Sequence, residues 1–499
     1  MVLKGASCPQ RTRTAGTGVP MIRRMGSQDQ PDSIGRMGDL FAQSRSAIVL
    51  PDGSKTTAST IAGEGRALAE ELAAEGLMPG DRVAVRLANG AQYLRLLVAC
   101  AAARLVLVSV NTRYSDVEAN DLVVRSGAVR LFGFSEALAL PAQSSNQDLS
   151  VADDPFVVFT TSGTTSRPKM VRHTQRSISS HGFAAAAALG YKANDVAMIV
   201  MPFCGTFGMS SFTAALAANA TIVVVDQFDV AAVAGLIANH RVSVVNGSDD
   251  MYHRLLEFGA DISTIRIGGY ARFNSSLDGI VGRAEEKGAT LVGLYGMSEV
   301  QALFSHRDPT LPTLERELPG GELVSPEAEL KIVDNELYVR GPSLFEGYLS
   351  EGGASIDSEL TASAFEDGWF KTGDSAIAER NRVFTYYSRI SDVLRLGGFL
   401  VSPADIESIL IEVPGIDEAQ VVAVDRRAGA RPVAFVLSTS GFDVDVAMRH
   451  CQDRLARYKV PVRIETLEAF PTTPSANGNK IQRTRLRTMA EELLRGDGA

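Results

Sequence analysis

The stretch FTTSGTTSRPKMVRHT, residues 159–174, sets seven Ser, Thr and Gly residues between an apolar run and Lys169, with Pro168 just before the lysine. It follows the strand-like FVVFT and precedes a helical run, so its hydroxyls and backbone amides gather where a strand end faces a helix N-terminus. Such a place binds anions, and phosphate is the expected guest. The GxxxxGK[ST] nucleotide loop is not matched, because Met170, and no Ser or Thr, follows the lysine. Taken alone, the stretch also reads as an ordinary turn. Cys8, Cys100, Cys204 and Cys451 lie far apart with no CxxC spacing, which argues against a zinc site or a disulfide scaffold and for buried thiols in a reducing compartment. From residue 451 onward nine Lys and Arg face six Asp and Glu, so the last segment carries about +3 and favours polyanionic ligands.

The elements that must position these groups alternate helical and strand periods from about residue 35. STIAGEGRALAEELAAEGL and GAQYLRLLVACAAA read as helices, DRVAVRL and RLVLVSV as strands. The alternation continues through DPFVVFTT, VAMIVMP, ATIVVVDQ, DVAAVAGLIANH, VSVVNGS and TLVGLYG, whose strands end in Gly, Ser or Pro. This is an α/β pattern, in which strand carboxyl ends collect ligands. PEAELKIVDNELYVRG (327–341) reads as short strands and turns, a β-rich subdomain. Beyond about 388, DVLRLGGFLVSPADIESILIEV reads strand, strand, helix, and AQVVAVDRRAGARPVAFVL reads as a hairpin, together a small α+β domain. No Pro/Gly linker marks the joint at YSRISDVL, and a short joint permits rotation about few residues.

A chain of 499 residues exceeds one ordinary core, and 45% hydrophobic with 21% charged residues is a globular balance. The net charge of −9 is mild for this length and argues against nucleic-acid or anionic-membrane binding. LVACAAARLVLVSV (97–110) is the longest apolar run; Arg104 interrupts it, and it is too short to span a bilayer. The first 28 residues carry Lys4, Arg11, Arg13, Arg23 and Arg24 with no apolar signal core. They fit an organellar transit peptide, a disordered leader, or a start site called ahead of Met21 or Met25, and residues 1–34 are left out of the fold.

TTSGTTSRPK resembles the phosphate loop of the adenylate-forming superfamily, which comprises acyl- and aryl-CoA ligases, peptide-synthetase adenylation domains and luciferases. Further matches follow in that superfamily's order: GGYAR (268–272), LYGMSE (294–299), ELYVRGPSLFEGYL (336–349), DGWFKTGD (367–374), SRISDVLRLGGFLVSPADIE (388–407) and PTTPSANGNKIQRTRLR (471–487). The resemblance covers about residues 35–490 and is closest to the acyl-CoA ligases. It implies a large N-terminal domain of mixed and parallel sheets flanked by helices, over 35–388, and a small mobile α+β domain over 389–499.

The implied reaction joins a carboxylic acid to AMP with loss of pyrophosphate, then passes the acyl group to CoA, using ATP and Mg²⁺. Two anions must meet at the α-phosphorus, so positive charge has to be gathered there. By resemblance, Thr161, Ser162, Gly163, Thr164, Thr165 and Lys169 hold the β- and γ-phosphates, and Glu299 binds Mg²⁺, a hard cation that wants oxygen. Gly268, Gly269, Tyr270 and Ala271 form the adenine wall, with Tyr295 stacking on the base and Ser298 beside it. Asp374 accepts the ribose hydroxyls and Arg389 adds a sugar or phosphate contact. Lys480 is the expected catalytic cation between carboxylate and α-phosphate. Rotation at Ser391 then brings Gly397 and Gly398 to the pantetheine.

Some positions depart from the superfamily's pattern. Ser391 stands where many relatives carry Asp or Lys, Ser388 where glycine is usual, and Ser298 where threonine is usual. Gly205 stands where His or an aromatic often gates the acyl pocket, which widens the space expected near Phe203, Phe207, Met297 and the turn VNGSDDM. Asp249 and Asp250 in that turn read as exposed acids or as contacts to a polar substrate. The reading is a cytoplasmic acid–thiol ligase acting on a small carboxylic acid. Its rivals stop at the adenylate, load a separate acyl carrier protein, or bind nucleotide without turnover.

Overall fold

The computed structural model describes residues 35–133, 148, 150–161, 168–273, 277, 279–353, 355–390, 392–396, 399–426, 430–475 and 478–496. The expected leader at 1–34, the loop residues Ser162, Gly163, Thr164 and Thr165, the hinge Ser391 and the pair Gly397 and Gly398 lie outside the described residues, as does the side chain of Lys480.

Two sheets carry most of the chain. In the larger, of fourteen strands, Ala47–Val49, Thr221–Val224, Val196–Ile199, Val244–Ser248, Ile267–Ala271 and Leu291–Met297 are parallel neighbours in that order. Past Leu291–Met297 the pairing turns antiparallel, through Gln301–His306, Gly320–Leu323, Val383–Arg389, Trp369–Arg380, Glu336–Arg340 and Glu329–Val333. The parallel and antiparallel halves join at one hairpin, whose three-residue tip is Ser298, Glu299 and Val300, and at the far edge Lys55–Thr57 adds an antiparallel strand to Ala47–Val49.

The second sheet has six strands. Arg130–Phe132, Arg82–Val85, Val106–Ser109 and Pro155–Thr160 are parallel, and Met170–Thr174 and Gly347–Tyr348 complete it antiparallel. Its hairpin of Pro155–Thr160 with Met170–Thr174 carries the Ser/Thr/Gly loop at its tip. Helix Gln175–Ala188 starts directly afterwards, because the Thr174 side chain caps it by accepting from the Ser177 N–H.

The strands are buried Val-, Ile- and Leu-rich runs, as sheets covered on both faces require. The main core joins the parallel half of the large sheet to helices such as Ala91–Ala102 and Thr206–Ala217, with Tyr93, Phe203 and Phe212 among its largest fully buried side chains. At roughly 1.5–3 kcal/mol for each large side chain removed from water, that packing fixes the frame from which the loops project. The residues from 394 onward have cores of their own, one built on Leu396, Ile406, Leu410, Val421 and Cys451, the other on Phe435, Leu486 and Ala490. Their elements are the hairpin Leu394–Leu396 with Phe399–Val401, helix Ala404–Ile411, a three-stranded sheet ending in Arg463–Thr466, and helix Arg483–Gly496.

Just after Gly205, where a widened acyl pocket is expected, Thr206 opens a twelve-residue helix, buried almost throughout, whose uniform hydrophobicity hides the helical period. The turn expected at VNGSDDM is instead a strand end, Val244–Ser248, running into helix Asp249–Phe258, whose first turn Ser248 caps. Cys100, Cys204 and Cys451 are buried thiols, and burial raises them to about 12, 11 and 11. Among the described residues no helix is long and apolar enough to cross a membrane.

Candidate active site

The described ends of the two hairpins are neighbours, with Ser298 Oγ 3.4 Å from the Thr160 carbonyl. At the base of the phosphate loop the Thr161 N–H donates to the Lys169 carbonyl at 3.0 Å, and the Lys169 N–H donates to Thr161 Oγ1 at 3.1 Å. The Lys169 ammonium then lies 4.5 Å from the centre of the Tyr348 ring. The Tyr348 hydroxyl donates to Glu299 Oε1 at 2.9 Å, so one tyrosine touches a group from each tip. Burial and the neighbouring carboxylate push the Tyr348 phenol far above its ordinary value, which keeps it a donor. Glu299 is 5% exposed, and among the described residues no ion pair neutralises it. Arg389 is felt there as a more distant positive charge. A buried carboxylate with no direct ion-pair partner among the described residues fits a cation, and a divalent metal held there would neutralise phosphate charge.

The Glu299 tip is clamped from strand Met170–Thr174 and the helix Gln175–Ala188 that follows it. His173 Nε2 donates to the Ser298 carbonyl at 2.8 Å, and His181 Nε2 donates to the Ala302 carbonyl at 2.6 Å. Because a carbonyl only accepts, both rings carry their proton on Nε2. The Gln301 amide adds a bond to the Ser177 carbonyl at 2.7 Å. These contacts hold Gln301 and Leu303 at positive φ, 68° and 60°, a backbone region non-glycine residues seldom adopt. Burial lowers both histidines to about 4, so they are neutral at physiological pH.

A second cluster forms where strands Trp369–Arg380 and Val383–Arg389 pair. Gly373, at φ 71°, supplies a turn that a side chain would strain, and Asp374 follows it into the interior. Asp374 accepts from the Tyr295 hydroxyl at 2.5 Å and pairs with Arg389 at 3.0 Å, while Arg389 also donates to the Thr372 carbonyl at 2.9 Å. Tyr295 was expected to stack on a base; here its ring packs edge-on against Phe384 and tilted against Tyr386. Burial first, and Asp374 next, raise its phenol far above the usual range, so it too remains a donor. Met297 lies beside it, with its sulfur 3.8 Å from the Tyr295 hydroxyl.

Gly268, Gly269, Tyr270 and Ala271 lie on strand Ile267–Ala271, paired with Leu291–Met297. A side chain at Gly268 would meet the Tyr252 hydroxyl and Leu291, and one at Gly269 would meet Asn246 and Leu294. Close packing within the sheet is thus a reason for both glycines, beside any ligand. Phe203 and Phe207 are 1% and 2% exposed and belong to the main core; the Phe203 ring rests on Tyr93 and Phe212, so neither offers an open face to an acyl group. Gly205 precedes helix Thr206–Ala217 as its N-cap. Asp250 is exposed as expected, but Asp249 is 1% exposed and accepts from the Phe273 N–H at 2.7 Å, a structural role that the turn reading missed. Lys480 sits in strand Gly478–Ile481. A cavity of about 410 Å³ borders Lys169, Arg125 and Glu351, and neither Asp374 nor Tyr295 lines it.

Sequence reasoning passed over Tyr348, His173 and His181. Tyr348 lay inside the quoted EGYL match, but its partnership with Glu299 spans two sheets and leaves no local spacing.

The AMP-binding enzyme family matches residues 41–152 and 136–349, and its C-terminal domain matches residues 405–477. The chain is an AMP-binding enzyme. Among the relatives of this AMP-binding enzyme, 2-succinylbenzoate–CoA ligase from Oceanobacillus iheyensis is 26% identical over 496 residues, covering 92% of this chain and 99% of its own. Feruloyl-CoA synthase from an Amycolatopsis species is 29% identical over 452 residues, covering 82% and 89%. Among solved structures, O-succinylbenzoate coenzyme A synthetase from Bacillus subtilis with ATP and magnesium superposes with a TM-score of 0.78 at 25% identity, covering 92% of this chain and 99% of that one. An anthranilate CoA ligase bound to anthranoyl-AMP shares the fold, with a TM-score of 0.78 at 19% identity, covering 92% and 97%.

Proposed function

We infer that this AMP-binding enzyme is an acid–thiol ligase: it converts a carboxylic acid and ATP to acyl-AMP and pyrophosphate, then transfers the acyl group to CoA. The observation that supports the reading best is a pair of buried carboxylates, Glu299 with no ion-pair partner among the described residues and Asp374 paired directly with Arg389. Glu299 with Lys169 suits the metal–phosphate end of ATP, and Asp374 suits its sugar hydroxyls. Mg²⁺ bound at Glu299 would offset charge on the phosphates as the acid approaches. Ser162, Gly163, Thr164 and Thr165 would complete the loop around those phosphates. Arg389 begins the joint to the C-terminal domain, through which Lys480 would serve adenylation, and Ser391, Gly397 and Gly398 the thiol step.

Aromatic acids are the first substrates to try, since the relatives named above act on succinylbenzoate, ferulate and anthranilate. A reducing cytoplasmic setting suits the buried thiols. The deciding experiment is pyrophosphate release with ATP and Mg²⁺ across fatty, aryl and bicyclic acids, each with and without CoA. Release that accelerates with CoA and yields thioester is the expected result; release without thioester moves the reading to adenylate formation alone or to carrier loading. Lys480→Ala is expected to lower adenylation by about 100-fold or more while sparing thioester formation from supplied acyl-adenylate. Equal loss of both steps removes Lys480 from the adenylation chemistry.

A further inference from the structure

We propose that Tyr348 is a positioning residue, a neutral spacer that holds Glu299 and Lys169 in place for metal-bound ATP while keeping the two charges from neutralising each other. The proposal rests on the ligase reading for the identity of the ligand, and on geometry for the device.

Tyr348 is itself firmly held. It is 2% exposed, its N–H donates to Thr361 Oγ1 at 3.0 Å, and its carbonyl accepts from the Asp357 N–H at 2.8 Å. Its strand registers it opposite Val171, two residues beyond Lys169, and its ring packs 4.8 Å from Phe345. From that fixed point the hydroxyl reaches Glu299 Oε1 while the ring lies 4.5 Å from the Lys169 ammonium.

The residue type matters because of what it leaves undone. A lysine or arginine at 348 would orient Glu299 and also neutralise it, and a divalent cation would have to displace that partner. A phenol orients one carboxylate oxygen and leaves the charge. The ring does the same for Lys169, attracting the ammonium without occupying its three N–H donors. Lys169 and Glu299 flank one side chain, yet no ion pair joins them among the described residues. A direct salt bridge would consume the anion meant for the metal and the cation meant for phosphate. Groups that orient a metal ligand from behind commonly change metal affinity by about 10–100-fold when removed.

The test separates hydroxyl from ring. Tyr348→Phe keeps the ring over Lys169 and deletes the bond to Glu299; Tyr348→Leu deletes both and repeats the hydroxyl test should the first variant fold poorly. Binding of Mn²⁺·ATP is followed by electron paramagnetic resonance, metal-free ATP binding by calorimetry, and pyrophosphate release as a function of Mg²⁺. For Tyr348→Phe we expect about a 10-fold rise in half-saturating metal, with metal-free ATP affinity within about 2-fold of wild type. In a Glu299→Gln background the same change should add nothing to the metal dependence. Tyr348→Leu should also weaken metal-free ATP, through Lys169. A metal dependence unchanged in both variants, with only a lowered unfolding temperature, makes Tyr348 a packing residue and overturns the proposal. Weakened Mn²⁺·ATP in Tyr348→Phe, with no turnover by wild type on any acid, keeps the spacer and discards the ligase. Turnover by wild type with unaltered metal dependence in the variants does the reverse, and a wild type that neither binds Mn²⁺·ATP nor turns over removes both.

Discussion

Asp374 and Glu299 are both buried carboxylates that accept a tyrosine hydroxyl, at 2.5 and 2.9 Å, yet their electrostatic surroundings differ. Asp374 has Arg389 at 3.0 Å; Glu299 has no ion-pair partner among the described residues. An acid balanced by a guanidinium still accepts hydrogen bonds from neutral hydroxyls and has little to offer a second cation. An unbalanced one is stable in the interior only while hydrogen-bonded, and it gains most from a metal. The same side-chain chemistry thus serves opposite ends of a nucleotide, and the neighbouring cation decides which.

Removing charge at each acid should break that symmetry most strongly. Glu299→Gln keeps the shape and loses the metal ligand, so kcat/KM for pyrophosphate release should fall by about 1,000-fold, with half-saturating Mg²⁺ raised. Asp374→Asn leaves the metal dependence alone and should raise the KM for ATP by about 10–100-fold, through lost sugar contacts and an unpaired Arg389. Titrating each variant with Mg²⁺ at fixed ATP, and with ATP at fixed Mg²⁺, gives the two dependences separately. Identical profiles would mean that the acids are not divided between metal and sugar.

A smaller effect sharpens the comparison through pH. The Glu299 tip is clamped by two neutral histidines with folded values near 4 against an ordinary 6.5. The unfolded chain therefore binds more protons between pH 6.5 and 4, and stability is full above 6.5 and is lost as pH falls toward 4. Each ring accounts for about 3 kcal/mol over that window. Urea unfolding at pH 7.5 and 4.5 should show the loss, and His181→Asn, which keeps a donor for the Ala302 carbonyl, should reduce the slope by about one proton. An unchanged slope would mean that His181 already protonates in the folded state.

Strands such as Arg82–Val85 and Val196–Ile199 and helices such as Ala58–Ala74 and Ala91–Ala102 were legible from their period, and Lys169, Glu299, Asp374 and Arg389 were picked out because each belongs to a local motif. The partnerships were not. Tyr348 meets Glu299 across 49 residues where two sheets come together, and His181 meets Ala302 across 121 where a helix packs on a strand. Burial also overrode local character. Asp249 looked like an exposed acid but is itself buried and accepts the N–H of Phe273, and the helix from Thr206 is too evenly apolar to show a face. Periodicity reports which side of an element is covered, not what covers it.

The smallest expected change contrasts the two tyrosines. Tyr295→Phe removes a donor from Asp374, but Arg389 still pairs with that carboxylate, so the charge keeps a partner. The cost should be about 1 kcal/mol of stability and no more than about a 5-fold rise in the KM for ATP, with metal dependence untouched. Tyr348→Phe takes away a hydroxyl of the same kind from an acid with no ion-pair partner among the described residues, and its larger consequence should fall on the metal. The two substitutions delete one oxygen each, so a difference between them isolates the influence of the neighbouring guanidinium. Equal effects on metal affinity would show that charge balance at the acid is not what separates the two ends of the site.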